Sequence, residues 1–305
     1  MTNIKHLIST VSISLSLVLG TAFAETVVIA DQLKFPEGPL LIHGKPYWVE
    51  YAGNTVMRLD GKKKTVVHSQ DGCGHNGLAR APGKQLAVIC YESGEVLYID
   101  YNGKVIERLA RDSTGQPFDH PNDIAFDAKG GAYLTTSGPF IAKPKIVGGV
   151  FYRAPGAKTF TEVANDIHFT NGVAIINDGK TLLVGEHNTN RILSFDIAAD
   201  GSISNRGVFV RMSDLVAGPT QPSLWLGPDG MKVDSEGNIY VAHYLGNRVV
   251  KMTPEGELLA TYDVPGIGTT NIELDEANGH LYVTAAEDLA NAPYLGKLWR
   301  MPLNK

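Results

Sequence analysis

"FTNGVAI", from Phe169 to Ile175, and "GHNGLAR", from Gly74 to Arg80, each set a lone Asn and then Gly at the head of a short apolar run. The arrangement recurs. Stretches starting at Glu37, Asn76, Asn122, Asn171, Asp229 and Asn271 all read polar head, apolar strand, Gly-bearing turn, apolar strand, turn, apolar strand. Helix signals are nearly absent, and short runs rich in Val, Ile, Leu and Tyr are separated by Gly, Asn, Asp and Pro, which indicates an all-β chain. Repeats of about 40 to 50 residues with four strands each indicate a β-propeller. Six units predict six blades. "ETVVIA" precedes the first unit, while the last unit stops at its third strand in "KLWRMPL". The N-terminal strand is therefore expected to complete the last blade and close the ring, pairing two edges that otherwise stay open.

The composition bounds the function. The chain has 305 residues and a net charge of −5, with no basic stripe, so a nucleic-acid partner is not expected. The one run of like charges, Lys62 to Lys64, follows a turn-like Asp-Gly and reads as a solvated hairpin tip. Lys5 and His6 precede an apolar stretch that ends in Ala22, Phe23 and Ala24. That pattern reads as a secretory signal peptide, residues 1–24, cut after Ala24, with the propeller over 25–305. No later stretch is apolar for the ~20 residues a membrane span needs. The expected location is the periplasm or outside the cell, with no membrane attachment after cleavage. Cys73 and Cys90 are the only cysteines, and a hairpin turning at "APGK" brings them to similar heights. A disulfide or two free thiols are both open readings.

Innermost propeller strands run along the central channel, so the residue opening each one points into a channel mouth. The six heads, Glu37, Asn76, Asn122, Asn171, Asp229 and Asn271, are all Asn, Asp or Glu. Asn-Gly turns account for one or two of them, but not for Glu37 and not for the repetition. Convergent carboxylate and amide oxygens suit a hard dication, and Ca²⁺ takes about 6 to 8 such ligands. Zn²⁺, Mg²⁺ or Mn²⁺ are alternatives, although zinc prefers Cys or His. In this reading the lone Asn is a channel-mouth ligand, and the Gly after it lets the backbone turn into the inner strand.

"FPEGPL", "HPNDIAFDAKGGAYLTTSG", "TNGVAIINDGKTLLVGE" and "GPDGMKVDSEGNIYVA" resemble the SMP-30/gluconolactonase family of six-bladed propellers, over nearly all of the mature chain. The resemblance implies a central divalent cation, usually calcium, and hydrolysis of a small lactone, often of a sugar acid. It implies Glu37, Asn171 and Asp229 as metal ligands. Asn122 then binds substrate or joins the coordination sphere, and Asp229 doubles as general base. In sugar-lactone hydrolases of the family an Arg often stands two residues before the "ND" Asn, where this chain has His120. The acidic substrate-binding residue expected after "ND" also has no clear counterpart in "LTTSGPF".

Such a site needs no Ser or Cys nucleophile, and no G-x-S-x-G elbow is present. His120 and His75, beside Asn122 and Asn76, are expected as substrate contacts or an auxiliary base, with Asn76 and Asn271 also facing substrate. Glu186 and His187 are weaker candidates. Phe140, Trp225 and Tyr244 are candidate pocket walls. Two other readings stand beside the lactonase: a non-catalytic propeller with structural calcium that binds a ligand or partner protein, and an aryl- or phosphotriesterase. No obligate protein partner is implied.

Overall fold

The structure, a computed structural model, describes residues 25–218 and 223–303. The expected leader, residues 1–24, lies outside the described residues. Six antiparallel four-stranded sheets stand around one axis as the blades of a propeller. The innermost strands are Pro36–Ile42, His75–Ala81, Pro121–Phe126, Thr170–Ile176, Gly227–Val233 and Gly268–Asp275. In the first five blades the strands follow chain order outward from the axis. The sixth takes its outer strand from the start of the chain. Val27–Lys34 pairs antiparallel with Leu295–Pro302, setting Val28 opposite Trp299 and Leu33 opposite Gly296. The ring closes as the unpartnered "ETVVIA" predicted.

The apolar patterning follows from where each strand lies. Second strands such as Gln85–Cys90 and Thr181–Glu186 are buried on both faces, so they read as continuous apolar runs. An outer strand such as Val105–Leu109 alternates half-buried and exposed positions and buries only Leu109. The core is not one mass but six clusters, each between two neighbouring blades. Ile89 and Val96 meet Leu134 and Phe151 between the second and third blades. Leu33 and Leu298 meet Trp48 and Met57 at the closure between the sixth and the first. Hydroxyls reinforce the seams, with Thr270 Oγ1 donating to the Pro36 carbonyl at 2.8 Å and Thr135 Oγ1 to that of Asn171 at 2.8 Å. No described helix is long and apolar enough to cross a membrane.

The cysteines pair: Cys73 and Cys90 form a disulfide, tying the approach to the second inner strand to the end of its neighbour.

Candidate active site

All six inner strands share an irregularity that the sequence did not announce. Each slips register against its neighbour at or beside its head: between Glu37 and Leu40, His75 and Gly77, Pro121 and Ile124, Thr170 and Val173, Pro228 and Met231, and Thr269 and Asn271. A β-bulge re-aims the side chain it carries. Six bulges at matching points of the repeat re-aim the heads they carry.

The Gly after the head has a different purpose from the one expected. Gly77 and Gly172 do not have positive φ, so they are not needed for the turn. They are needed for space. A Cβ on Gly172 would lie 2.1 Å from the Asp229 carbonyl oxygen, and one on Gly77 would lie 2.8 Å from that of Asn122. The inner strands crowd so closely round the axis that only hydrogen fits between one head and the next. Gly172→Ala is expected to cost about 3 kcal/mol or more, at the upper end of overpacking, because its clash is with backbone. Urea unfolding measures this, and a midpoint equal to wild type would contradict the crowding.

Five heads, Glu37, Asn76, Asn122, Asn171 and Asp229, line a cleft of about 590 Å³ at one end of the axis. Asn271 is also buried on the axis but does not line the cleft. Its amide packs against Gly230, and it favours the ionised form of Glu37. It supports the Glu37 carboxylate from outside the cleft lining. Asn76 donates from Nδ2 to the Asn122 carbonyl at 3.2 Å, linking neighbouring heads.

Electrostatics single out two of the heads. Burial holds the Glu37 carboxyl well above its ordinary pKa, and the nearby Asp229 and Asp123 charges push it further. Burial does the same to Asp229, with Asp123 adding to it, while Asn171 and the Gly230 N–H oppose the rise. Asp123 was not foreseen as a site residue. It follows Asn122 on the same bulge, it is buried, and its pKa is raised by burial and lowered by Lys232. Its only trace in sequence is the Asp of "ND". Further along the axis, burial raises Glu273, and Lys232 and Arg80 lower it. Four carboxyl groups thus meet two cationic side chains, and the unmatched pair is Glu37 and Asp229. Buried carboxylates without a partner are costly. The donor set at this point is oxygen-only, and it fits a divalent cation.

The histidines separate. His120 lines the cleft, its Nδ1 2.7 Å from the Asp119 carboxylate. His187 also lines it, more centrally than its weak ranking in sequence suggested. Its Nε2 lies 2.9 Å from the Trp225 carbonyl and its Nδ1 3.2 Å from that of Pro228, and the neutral ring donates its one N–H to one of the two. Burial lowers its pKa to about 4, leaving it neutral at pH 7. Glu186 turns away to Arg191 and Thr189. His75, expected at the mouth, corrects that expectation: it is fully buried, absent from the cleft wall, and packed beside the Cys73–Cys90 disulfide.

Above the polar floor the walls are aromatic. Phe140 lies over Trp225 with centroids 3.7 Å apart, and Phe169 meets Trp225 at 5.1 Å and His187 at 5.7 Å. Across the cleft, Phe35 contacts Tyr51 at 5.6 Å and Tyr294 at 6.1 Å, and Tyr91 meets His120 at 4.8 Å. Tyr244 completes the first wall, its hydroxyl held protonated by burial and by the charges of Asp229 and Glu37. Phe140, Trp225 and Tyr244 were legible as candidates; Phe35, Tyr51, Tyr91 and Tyr294 were not.

The family description "SMP-30/Gluconolactonase/LRE-like region" matches residues 35–287. Among curated proteins, the lactonase drp35 of Staphylococcus haemolyticus is 28% identical over 266 residues, 82% of this chain and 77% of that protein. The lactonase drp35 of Staphylococcus epidermidis is 32% identical over 187 residues, 58% of this chain and about half (53%) of the relative's length. Among solved structures, a gluconolactonase from Xanthomonas campestris superposes with a TM-score of 0.74 at 22% identity, covering 92% of this chain and 89% of that one. A calcium-binding protein, regucalcin, from Agrobacterium tumefaciens gives a TM-score of 0.73 at 22% identity, covering 92% and 93%. At these identities the structural matches speak to the fold.

Proposed function

Because the chain belongs to the SMP-30/gluconolactonase/LRE-like family, we propose that it is a lactonase that hydrolyses a small lactone with an apolar or aromatic body. The observation that carries this reading is the buried Glu37–Asp229 carboxylate pair at the floor of an aromatic cleft. Lactonase activity in the relatives supports the reaction class. Calcium is the proposed cation, held by Glu37, Asn171 and Asp229, with Asn122 joining them or binding substrate. When bound, the cation polarises an ester carbonyl and stabilises the negative charge that develops on its oxygen.

The chain's own residues account for the rest. Asp229 takes a proton from water as the water oxygen bonds to the lactone carbonyl carbon. The ring C–O bond then breaks, and the proton passes to the departing alkoxide, which leaves as the hydroxyl of a hydroxy acid. His120, oriented by Asp119, stands at the cleft wall as the second group able to carry that proton. Asn122 and Asn76 offer amide donors to substrate oxygen. The aromatic walls limit water and favour a flat apolar body.

A sugar lactone fits these walls less well. Each hydroxyl set against an aromatic face without a partner forfeits a hydrogen bond, worth about 1–3 kcal/mol when buried. A lactone panel tests the reading. Trp225→Ala is expected to raise KM about 10-fold for a bicyclic aryl lactone and much less for a small monocyclic one. Faster turnover of gluconolactone than of the aryl lactone would overturn the substrate class. No turnover of any lactone or aryl ester, with calcium still bound, would favour a binding propeller.

The leader read in residues 1–24 and the Cys73–Cys90 disulfide support export to an oxidising compartment, the periplasm or the medium.

A further inference from the structure

A second cluster lies outside the cleft. Cys73, His75 and Cys90 are all fully buried, and each offers a donor atom within 4.8 Å of the others. His75 sits opposite Cys90 in the ladder. Neither ring nitrogen of His75 has a hydrogen-bond partner. His68 stands behind it with ring centroids 5.9 Å apart. The His68 Nδ1 lies 3.1 Å from the Gly103 carbonyl, and its Nε2 is buried without a partner.

An unmet buried polar atom costs about 1–3 kcal/mol, and His75 carries two. An apolar side chain would fill the space without that penalty. An imidazole with a free lone pair beside two sulfurs is instead the donor chemistry of a soft or borderline metal.

We infer that Cys73, Cys90 and His75 form a two-state site: a disulfide when oxidised, and a zinc site when reduced, with His68 or a water as fourth ligand. The geometry admits both states. Two thiolates on a tetrahedral zinc, with Zn–S of about 2.3 Å, stand about 3.8 Å apart. The Cys73 and Cys90 Cα atoms lie 4.6 Å apart, and the reduced state requires side-chain rotation to carry the two sulfurs to that separation. Neither His75 nitrogen is engaged by a protein group, so a ring lone pair is open to the metal.

The chemistry balances. A tertiary phosphine and water break the S–S bond, giving two thiols and the phosphine oxide. Zinc then displaces both thiol protons to solvent. The oxygen-only set on the axis has no sulfur and cannot give the same optical signature.

The test uses the folded mature protein, reduced anaerobically with a phosphine and titrated with Co²⁺ as a probe, then with Zn²⁺. One equivalent of cobalt is expected to give a thiolate-to-cobalt charge-transfer band that zinc abolishes. The oxidised protein is expected to give none. His75→Asn keeps both cysteines and is expected to weaken cobalt binding by at least ~10-fold, since even an outer partner of a zinc ligand contributes that much. In the unaltered protein, zinc is also expected to slow alkylation of both thiols, a readout that needs no variant. A folded protein with two titratable thiols but no cobalt–thiolate band would overturn the inference. So would unweakened binding by His75→Asn, or a disulfide that is reduced only on unfolding.

Discussion

Asp229→Asn is expected to lower kcat/KM on an aryl lactone by about 10³-fold, with the fold and thermal midpoint nearly intact. Asp229 lies on the bulge of the fifth inner strand, buried, with its carbonyl oxygen pressed against Gly172 and its side chain supported by Asn171. Asn has almost the same shape and keeps an acceptor for that support, so packing changes little. What disappears is the carboxylate. A general base contributes about 10² to 10⁴-fold, and loss of charge stabilisation at the same point adds to it. Glu37→Gln removes the other unmatched charge but not the base. Its loss should be largely recovered at high calcium, whereas that of Asp229→Asn should not. Asp229→Asn retaining more than about a tenth of wild-type activity would remove Asp229 from the chemistry.

Chelation is expected to abolish activity and lower the melting temperature, and the gap between calcium-loaded and metal-free protein should widen as pH rises. A cation present at about 100 times its Kd stabilises by about 2.7 kcal/mol, or roughly 5 °C for a chain of this size. The pH dependence follows from Glu37 and Asp229. In the metal-free protein both bind their protons more tightly than in the unfolded chain, because burial comes first and neighbouring carboxylates add to it. Below the ordinary carboxylate pKa of about 4 both states are protonated and the pair exacts no penalty. As pH rises from there through the raised folded values, the unfolded chain releases its protons first, and the folded state loses stability. Asp123 acts in the same direction. Calcium offsets the penalty at neutral pH, while protons replace it as pH falls toward the ordinary carboxylate range. Calorimetry with and without chelator at pH 5 and pH 8 measures both gaps. Equal gaps would mean that the carboxylate pair does not hold the ion.

Much of the architecture is visible in single residues read in order. The succession of an Asn, Asp or Glu head and apolar runs is local, and each blade repeats it because each must bury the same faces against two neighbours. Repetition converts a weak signal into six blades, and "ETVVIA" without a unit of its own points to the closure. The acids and amides at Glu37, Asn122, Asn171 and Asp229 are legible for the same reason, since they occupy one position of the repeat.

Other features belong to no repeat position. Phe35, Tyr51, Tyr91 and Tyr294 come from different blades and loops, and nothing in their local sequence marks them as one wall. Asp123 acts because the ring brings it beside Glu37 and Asp229, and His75 leaves the mouth because its side chain turns to Cys73 and Cys90. Even the Gly of the opening motif was legible only as a turn residue. The sequence alone determined the ring, its closure and the polar identity of its axis, because those follow from short-range periodicity and burial. Only the tertiary structure decided which carboxylates stand unmatched, which walls face them and why Gly172 is Gly, because each depends on the separation of atoms on neighbouring blades.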